Sequence, residues 1–179
     1  MRTILRVDAS ARHAGSLSRQ LGDCLMAQLQ RQHPHMAVTQ RDLAQGVLLL
    51  DEGQITARET PGYARTAAQR DRLQPSDALI TELKSADILV LTTPIYNFSL
   101  PGALKAYIDQ VCRPDLTFRY SEAGPIGLLS CRAYLVVVSG GTPIGSAVDF
   151  ATPYLEHILD FMGIGPIERV AAGEAWRSQ

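Results

Sequence analysis

A doubly wound, parallel α/β sheet of five strands in the order 2-1-3-4-5, with helices on both faces, is the fold that this sequence predicts, and three observations predict it. Strand-like and helix-like stretches alternate along the 179 residues. Two of the strands, Ile88 to Leu91 and Ala133 to Val138, are unbroken apolar runs, which suit strands buried on both faces of a helix-covered parallel sheet. Serine-rich, aromatic and glycine-rich segments follow three of the strands, where open α/β sheets hold their ligands.

The elements follow in chain order. Thr3 to Val7 reads as the first strand, and from Leu17 the residues Leu21, Leu25 and Leu29 recur at helical spacing until Pro34 stops them. Ala37 to Gln40 is a short second strand, more polar and so nearer an edge. Asp51 to Gln74 is rich in Arg, Gln and Ala, weakly periodic and broken by Pro61-Gly62. It reads as a long excursion outside the core, of a length that often carries function. Ser76 to Lys84, with Leu79, Ile80 and Leu83, is a helix leading into the third strand at Asp87. Pro94 ends that strand by removing a ladder donor. Gly102 to Val111 is the next helix and Ala133 to Val138 the fourth strand. Thr152 to Met162 is a helix with Pro153 in its first turn, a favoured place, and Gly163 just past its end. Pro166 to Ala171 completes the sheet. No repeat or low-complexity stretch divides the chain, so residues 1–179 read as one domain.

Composition narrows the function classes. The 17 basic and 18 acidic residues are interspersed, so no basic stripe invites nucleic acid and no acidic face invites a cationic partner. No apolar run approaches the roughly 20 residues of a membrane span. Asp8 and Arg12 interrupt any signal-peptide plan, and the expected location is the cytoplasm. Cys24, Cys112 and Cys131 are odd in number and lack C-x-x-C spacing, which reads as reduced thiols. His33 and His35 flank Pro34, and His13 and His157 stand alone, so no metal site is expected.

Three loops carry the chemistry. The first, Asp8 to Arg19, places Ser10, Ser16 and Ser18 around the start of a helix, whose free N–H groups and positive dipole end suit an anion. Hydroxyls donate to phosphate oxygens, and Gly15 lets the backbone come close. The alternative is that Ser16 or Ser18 only caps the helix. The loop is neither G-x-G-x-x-G nor G-x-x-x-x-G-K-[ST], so the dinucleotide and Walker fingerprints are absent. The second loop sets Tyr96, Asn97 and Phe98 at the end of the third strand, where the aromatics either face a ligand or cap the core. The third is Ser139-Gly140-Gly141-Thr142, whose paired glycines allow backbone N–H groups to approach a flat ring, or make an ordinary turn. Together the three loops describe a site for a monophosphate joined to a planar heterocycle.

Ser10 with Ser16-Leu17-Ser18, Pro94-Ile95-Tyr96-Asn97-Phe98, Thr117-Phe118-Arg119-Tyr120, Gly124-Pro125, Ser139-Gly140-Gly141 and Thr152-Pro153-Tyr154-Leu155 resemble, in order and spacing, segments of the bacterial FMN-dependent NADH:quinone oxidoreductases/azoreductases. The resemblance implies a flavodoxin-like homodimer that binds FMN and takes electrons from NAD(P)H. It implies that Ser10 and Ser16 to Ser18 hold the phosphate, that Ile95 to Phe98 lie along the isoalloxazine with Pro94 also in cofactor binding, and that Ser139, Gly140, Gly141 and Thr142 contact its pyrimidine side. Ile95 replaces the family's common Met, and Ser139-Gly140 lacks the Arg of the usual Ser-Arg-Gly-Gly. Where the family carries a final helix after the fifth strand, this sequence has only Gly173 to Gln179.

The expected reaction is ping-pong transfer of two electrons from NAD(P)H through FMN to quinones or aromatic azo compounds, the protein supplying position and electrostatics. Asn97 is the candidate catalytic residue, stabilising negative charge on the flavin together with N–H groups near Gly140 and Gly141. Phe98 and Phe118 are candidate stacking walls for substrate, with Tyr120 as a polar handle and Phe161 reaching over from a second subunit; Phe118 and Phe161 as core residues are the alternative. A flavodoxin-type electron carrier or an NAD(P)H-dependent FMN reductase is the competing reading. Carriers that dock to basic partners are usually strongly acidic, whereas this chain has a net charge of -1 and a pI near 6.4.

Overall fold

The computed structural model describes residues 2–172, and the segment after the last strand, where the resemblance sets a final helix, lies outside the described residues. Its elements are β1 (Thr3–Asp8), α1 (Leu17–Gln32), β2 (Ala37–Asp42), α2 (Glu52–Glu59), α3 (Ala67–Ser85), β3 (Ile88–Pro94), α4 (Gly102–Val111), β4 (Phe118–Ser121), β5 (Gly124–Gly127), β6 (Arg132–Val138), α5 (Thr152–Phe161) and β7 (Ile167–Ala172). Five strands form the main sheet in the order β2-β1-β3-β6-β7, every pair parallel. The expected doubly wound sheet is therefore present, but β4 and β5 lie outside it as a separate antiparallel hairpin.

Alternation along the central strands sorts their side chains between two helix layers. Leu5, Val7, Leu89, Leu91, Leu135 and Val137 face one cluster, which Ile80 and Leu83 of α3, Leu104 and Ile108 of α4, and Leu155 and Leu159 of α5 complete. Ile4, Ile88, Val90 and Val136 face the other, closed by Met26 and Leu29 of α1. Double coverage is why β1, β3 and β6 are buried along most of their length, whereas edge strand β2 keeps three exposed residues, Val38 to Gln40. Burial pushes the Cys131 thiol up to about 11, so it stays protonated at neutral pH.

Two sequence expectations need correction. Asp51 to Gln74 is largely helical. Asp51 caps α2 by accepting from the Gln54 N–H at 2.7 Å, and Thr66 and Gln69 form a reciprocal capping box at the start of α3. The helix expected to start at Ser76 starts at Ala67 and runs through Pro75. The proline forfeits one helical hydrogen bond, but Leu73, Ser76, Ile80 and Leu83 are buried on either side of it, and the Ser76 hydroxyl donates to the Gln110 carbonyl at 2.6 Å. Packing on α4 outweighs the local penalty. The Thr117 to Gly127 segment contains the β4–β5 hairpin, with Phe118 opposite Gly127 and Tyr120 opposite Pro125. A Cβ at Gly127 would meet the backbone of Met162 and Gly163, so the hairpin lies directly on the end of α5.

Candidate functional site

Parallel register brings three strand ends together. Asp8 of β1 pairs with Thr92 of β3, and Pro94 of β3 pairs with Val138 of β6. The chain leaves each of these ends by a loop, and the three loops enclose a cleft of about 250 Å³. The first loop contributes Ser10, Arg12, Gly15 and Ser16 to Ser18; the second Pro94, Ile95 and Tyr96; the third Val138 and Gly140.

The serine loop rests on a buried ionic layer. Asp8, fully buried, is met by Arg6 at 2.9 Å, by the Thr92 hydroxyl at 2.7 Å and by the Gln40 amide at 2.8 Å. Arg6 continues to Asp23 at 2.5 Å and donates to the Arg19 carbonyl at 3.1 Å. Burial would lower the Arg6 pKa, but hydrogen bonds to Asp23 and Asp8 raise it overall. Arg19 donates to the carbonyls of Ser10 at 2.8 Å and Arg12 at 3.0 Å and pairs with Asp42 at 2.6 Å, tying the loop to β2. Burial pushes the Asp42 carboxyl up, and the bonds from Arg19 and the Ala44 N–H reverse this, holding it below the usual range. A Cβ on Gly22 would come 2.7 Å from the Thr92 methyl, so glycine lets α1 sit this close to the sheet.

On that base the serines are placed for an anion. Ser10, just after β1, and Ser16 and Ser18, at the start of α1, are all buried, and Gly15 takes a φ of +68° that favours glycine. The Ser16 and Ser18 hydroxyls lie 3.2 Å apart and, among the described residues, bond only to each other, while neither caps the helix. Two hydroxyls carry two O–H protons; their mutual bond uses one. The spare buried donor suits an oxygen-rich anion from outside the chain.

The second loop is a two-residue turn. Tyr96 and Ser99 exchange backbone hydrogen bonds at 2.8 and 2.9 Å, and Asn97 and Phe98 between them have φ of +50° and +67°. Both central residues are left-handed, the type I′ pattern, which asparagine tolerates and phenylalanine does not. Such a turn keeps Phe98 exposed, and strained residues of this kind cluster at ligand sites. The Tyr96 hydroxyl is 3.5 Å from Ser10 Oγ, across the mouth of the cleft.

The third loop is latched by a buried carboxylate. Asp149 accepts from the N–H groups of Gly145 at 2.8 Å, Ala151 at 3.0 Å and Thr152 at 2.9 Å. Burial pushes its carboxyl up, and the donors from Gly145, Thr152 and Ala151 more than reverse this, holding it below the usual range. Next to it the Phe150 N–H donates to the Phe98 carbonyl at 2.9 Å, joining the third loop to the strained turn. Ser139 Oγ accepts the Gly141 N–H at 3.3 Å.

Of the residues expected in cofactor binding, Ser10, Ser16, Leu17, Ser18, Pro94, Ile95, Tyr96 and Gly140 line one cleft. Asn97, Phe98, Ser139, Gly141 and Thr142 stand beside it in the same loops. Phe118 is 6 % exposed, with its ring 4.6 Å from that of Phe161 and 5.5 Å from that of Tyr120. These three aromatics form a cluster of their own between hairpin and α5, from which Tyr120 projects to solvent. Arg12, Arg19 and Asp149 escaped the sequence reading. Arg12 and Arg19 look alike in sequence, and only the fold separates the one facing the cleft from the one behind it.

Comparison with known proteins accords with this geometry. A family model of flavodoxin-like fold matches residues 2–178. The chain is 47 % identical over 170 residues to an FMN-dependent NADH:quinone oxidoreductase 1 of Hahella chejuensis, covering 94 % of this chain and 83 % of that protein. It is 48 % identical, with the same coverage, to an FMN-dependent NADH:quinone oxidoreductase of Thiobacillus denitrificans. Among solved structures, an azoreductase from Bacillus anthracis superposes with a TM-score of 0.89 at 25 % identity, over 99 % of this chain and 89 % of that one.

Proposed function

The chain belongs to the flavodoxin-like family of FMN-dependent NADH:quinone oxidoreductases, and from that premise we propose that it is an FMN-dependent oxidoreductase moving two electrons from NADH to quinones and aromatic azo compounds. The single observation that carries the reading is the convergence, at the ends of β1, β3 and β6, of a buried hydroxyl pair with a spare donor, a strained Tyr96–Ser99 turn and the Gly140 backbone in one cleft. FMN fits that donor set, with its phosphate at Ser10, Ser16 and Ser18 and its ring system along Pro94 to Phe98. Among the described residues the cleft lining offers one phosphate loop and no second, which favours FMN over FAD.

Bound there, FMN supplies two-electron chemistry between a nicotinamide and a quinone. The residues supply the rest. Ile95 and Tyr96 would hold the ring, the exposed Phe98 ring would offer a face on which an aromatic acceptor stacks, and Asn97 with the N–H groups of Gly140 and Gly141 would favour negative charge on it. Around a bound FMN these residues would leave one face for donor and acceptor to use in turn, which would give ping-pong kinetics, with NADH or NADPH as donor. Residues 1–179 act as one FMN-binding unit in a cytoplasmic homodimer, in which Tyr120 is a polar handle for substrate and Phe161 reaches over to the substrate of the partner subunit. The net charge of -1 supports an enzyme over an electron carrier.

The test is an absorbance spectrum of the purified protein followed by anaerobic NADH and then benzoquinone. Oxidised-flavin bands that bleach with NADH and return with the quinone are expected. Colourless protein that cannot be reconstituted with FMN refutes the proposal.

A further inference from the structure

Among the described residues that line the strand-end cleft, Arg12 alone carries a formal charge. Its backbone is held from both sides: its N–H donates to Ser10 Oγ at 3.2 Å and its carbonyl accepts from Arg19 Nε at 3.0 Å. Its guanidinium, in contrast, makes no hydrogen bond or ion pair among the described residues, and the residue is exposed. The neighbouring arginines behave oppositely. Arg6 is committed to Asp8 and Asp23, and Arg19 to Asp42 and two loop carbonyls. Asp8 and Asp42, the carboxylates of the layer behind the loop, are already engaged by Arg6, Arg19 and Gln40. Arg19 thus builds the loop, and Arg12, seven residues earlier, is presented by it with its charge unspent.

We infer that Arg12 is the counter-ion of the cofactor's phosphate, and that it makes the cleft select the phosphorylated flavin over riboflavin; this rests on the FMN reading of the site. Ser10, Ser16 and Ser18 supply neutral hydroxyl donors and the start of α1 supplies a partial positive charge, but a phosphate monoester near neutral pH carries between one and two negative charges. A guanidinium pairs with two phosphate oxygens at once. Because Arg12 is anchored through its backbone, pairing requires ordering only of the side chain. Because it is exposed, its contribution is screened by salt, whereas the hydroxyl contacts are not.

The experiment titrates the full chain, stripped of flavin, with FMN and with riboflavin, following flavin fluorescence at low and at raised ionic strength, for the wild type, Arg12→Gln and Arg12→Lys. Arg12→Gln is expected to weaken FMN binding about tenfold at low ionic strength, which corresponds to about 1.4 kcal/mol, and to leave riboflavin binding unchanged. The FMN difference shrinks at raised ionic strength, and Arg12→Lys retains part of the affinity. Unchanged FMN affinity in Arg12→Gln overturns the assignment. An equal loss for FMN and riboflavin also overturns it, because Arg12 then acts by shaping the loop and not by charge. A wild-type chain that binds riboflavin and FMN equally overturns the selectivity while leaving a flavin site, and one that binds neither overturns the FMN reading together with it.

Discussion

Asp149→Asn is the most informative single substitution for the third loop, because it keeps shape and changes one contact's sign. Asp149 is 2 % exposed and its two oxygens divide their work: one accepts from Ala151 and Thr152 at the start of α5, the other from the Gly145 N–H. An asparagine can keep its carbonyl oxygen on the helix, but its NH₂ then faces the Gly145 N–H, donor against donor. A lost hydrogen bond to a charged group costs roughly 1.5–3 kcal/mol, and the remaining two weaken as the charge goes. The total is about 2–3 kcal/mol, which for a chain of this size is a fall in Tm of about 5–10 °C. The pH dependence has a fixed sign. The folded pKa of Asp149 is lowered, so its stabilisation is fully present above the ordinary carboxylate range and is lost as pH falls through the folded value. Thermal unfolding of wild type and Asp149→Asn should therefore show a constant gap near neutrality that closes in acid. Equal melting temperatures at pH 7, or a gap that survives far below the carboxylate range, would refute the latch. The same variant should bind FMN less tightly, since the Phe150 N–H that holds the Phe98 carbonyl belongs to the latched segment.

Three further outcomes are expected. Ser16→Ala combined with Ser18→Ala should weaken FMN binding at least tenfold in a fluorescence titration, at roughly 1.5–3 kcal/mol per bond to the phosphate, with the far-ultraviolet circular dichroism unchanged; an unaltered affinity would make these serines structural only. At position 98 the left-handed backbone costs a non-glycine residue about 1–2 kcal/mol, so Phe98→Gly should melt higher than Phe98→Ala, the reverse of the order at an ordinary position. Both variants should lose activity with quinones if the exposed ring is the stacking face. Phe118→Ala empties a buried site against Phe161 and should cost about 3 kcal/mol or more, read as a lower denaturation midpoint; if stability is untouched and only acceptor kcat/KM falls, Phe118 faces substrate and not the core.

What the sequence determined by itself lies where local chemistry and burial agree. Ile88 to Leu91 had to be a doubly covered strand because nothing in it can face water, and Pro94 had to end it. The polarity of Ala37 to Gln40 put β2 at an edge, and the serine, aromatic and glycine segments had to meet because the carboxyl ends of parallel strands point one way. Tertiary structure decided where burial is polar or depends on distant partners. The excursion hid α2 and the first half of α3: α2 buries only Gln54, satisfied by Gln110 on α4, and Ala57, and the first half of α3 buries only Leu73, so no apolar period marks them. Pro75 is tolerated only because packing on both sides outweighs one lost hydrogen bond. Phe118 became core through Phe161, 43 residues further on, and through a Gly127 that fits only against Gly163. The division between Arg19 behind the phosphate loop and Arg12 in front of it rests on which carboxylates the β1 and β2 strands bring within reach. A guanidinium's role is set by its partners in space, and no local pattern encodes those.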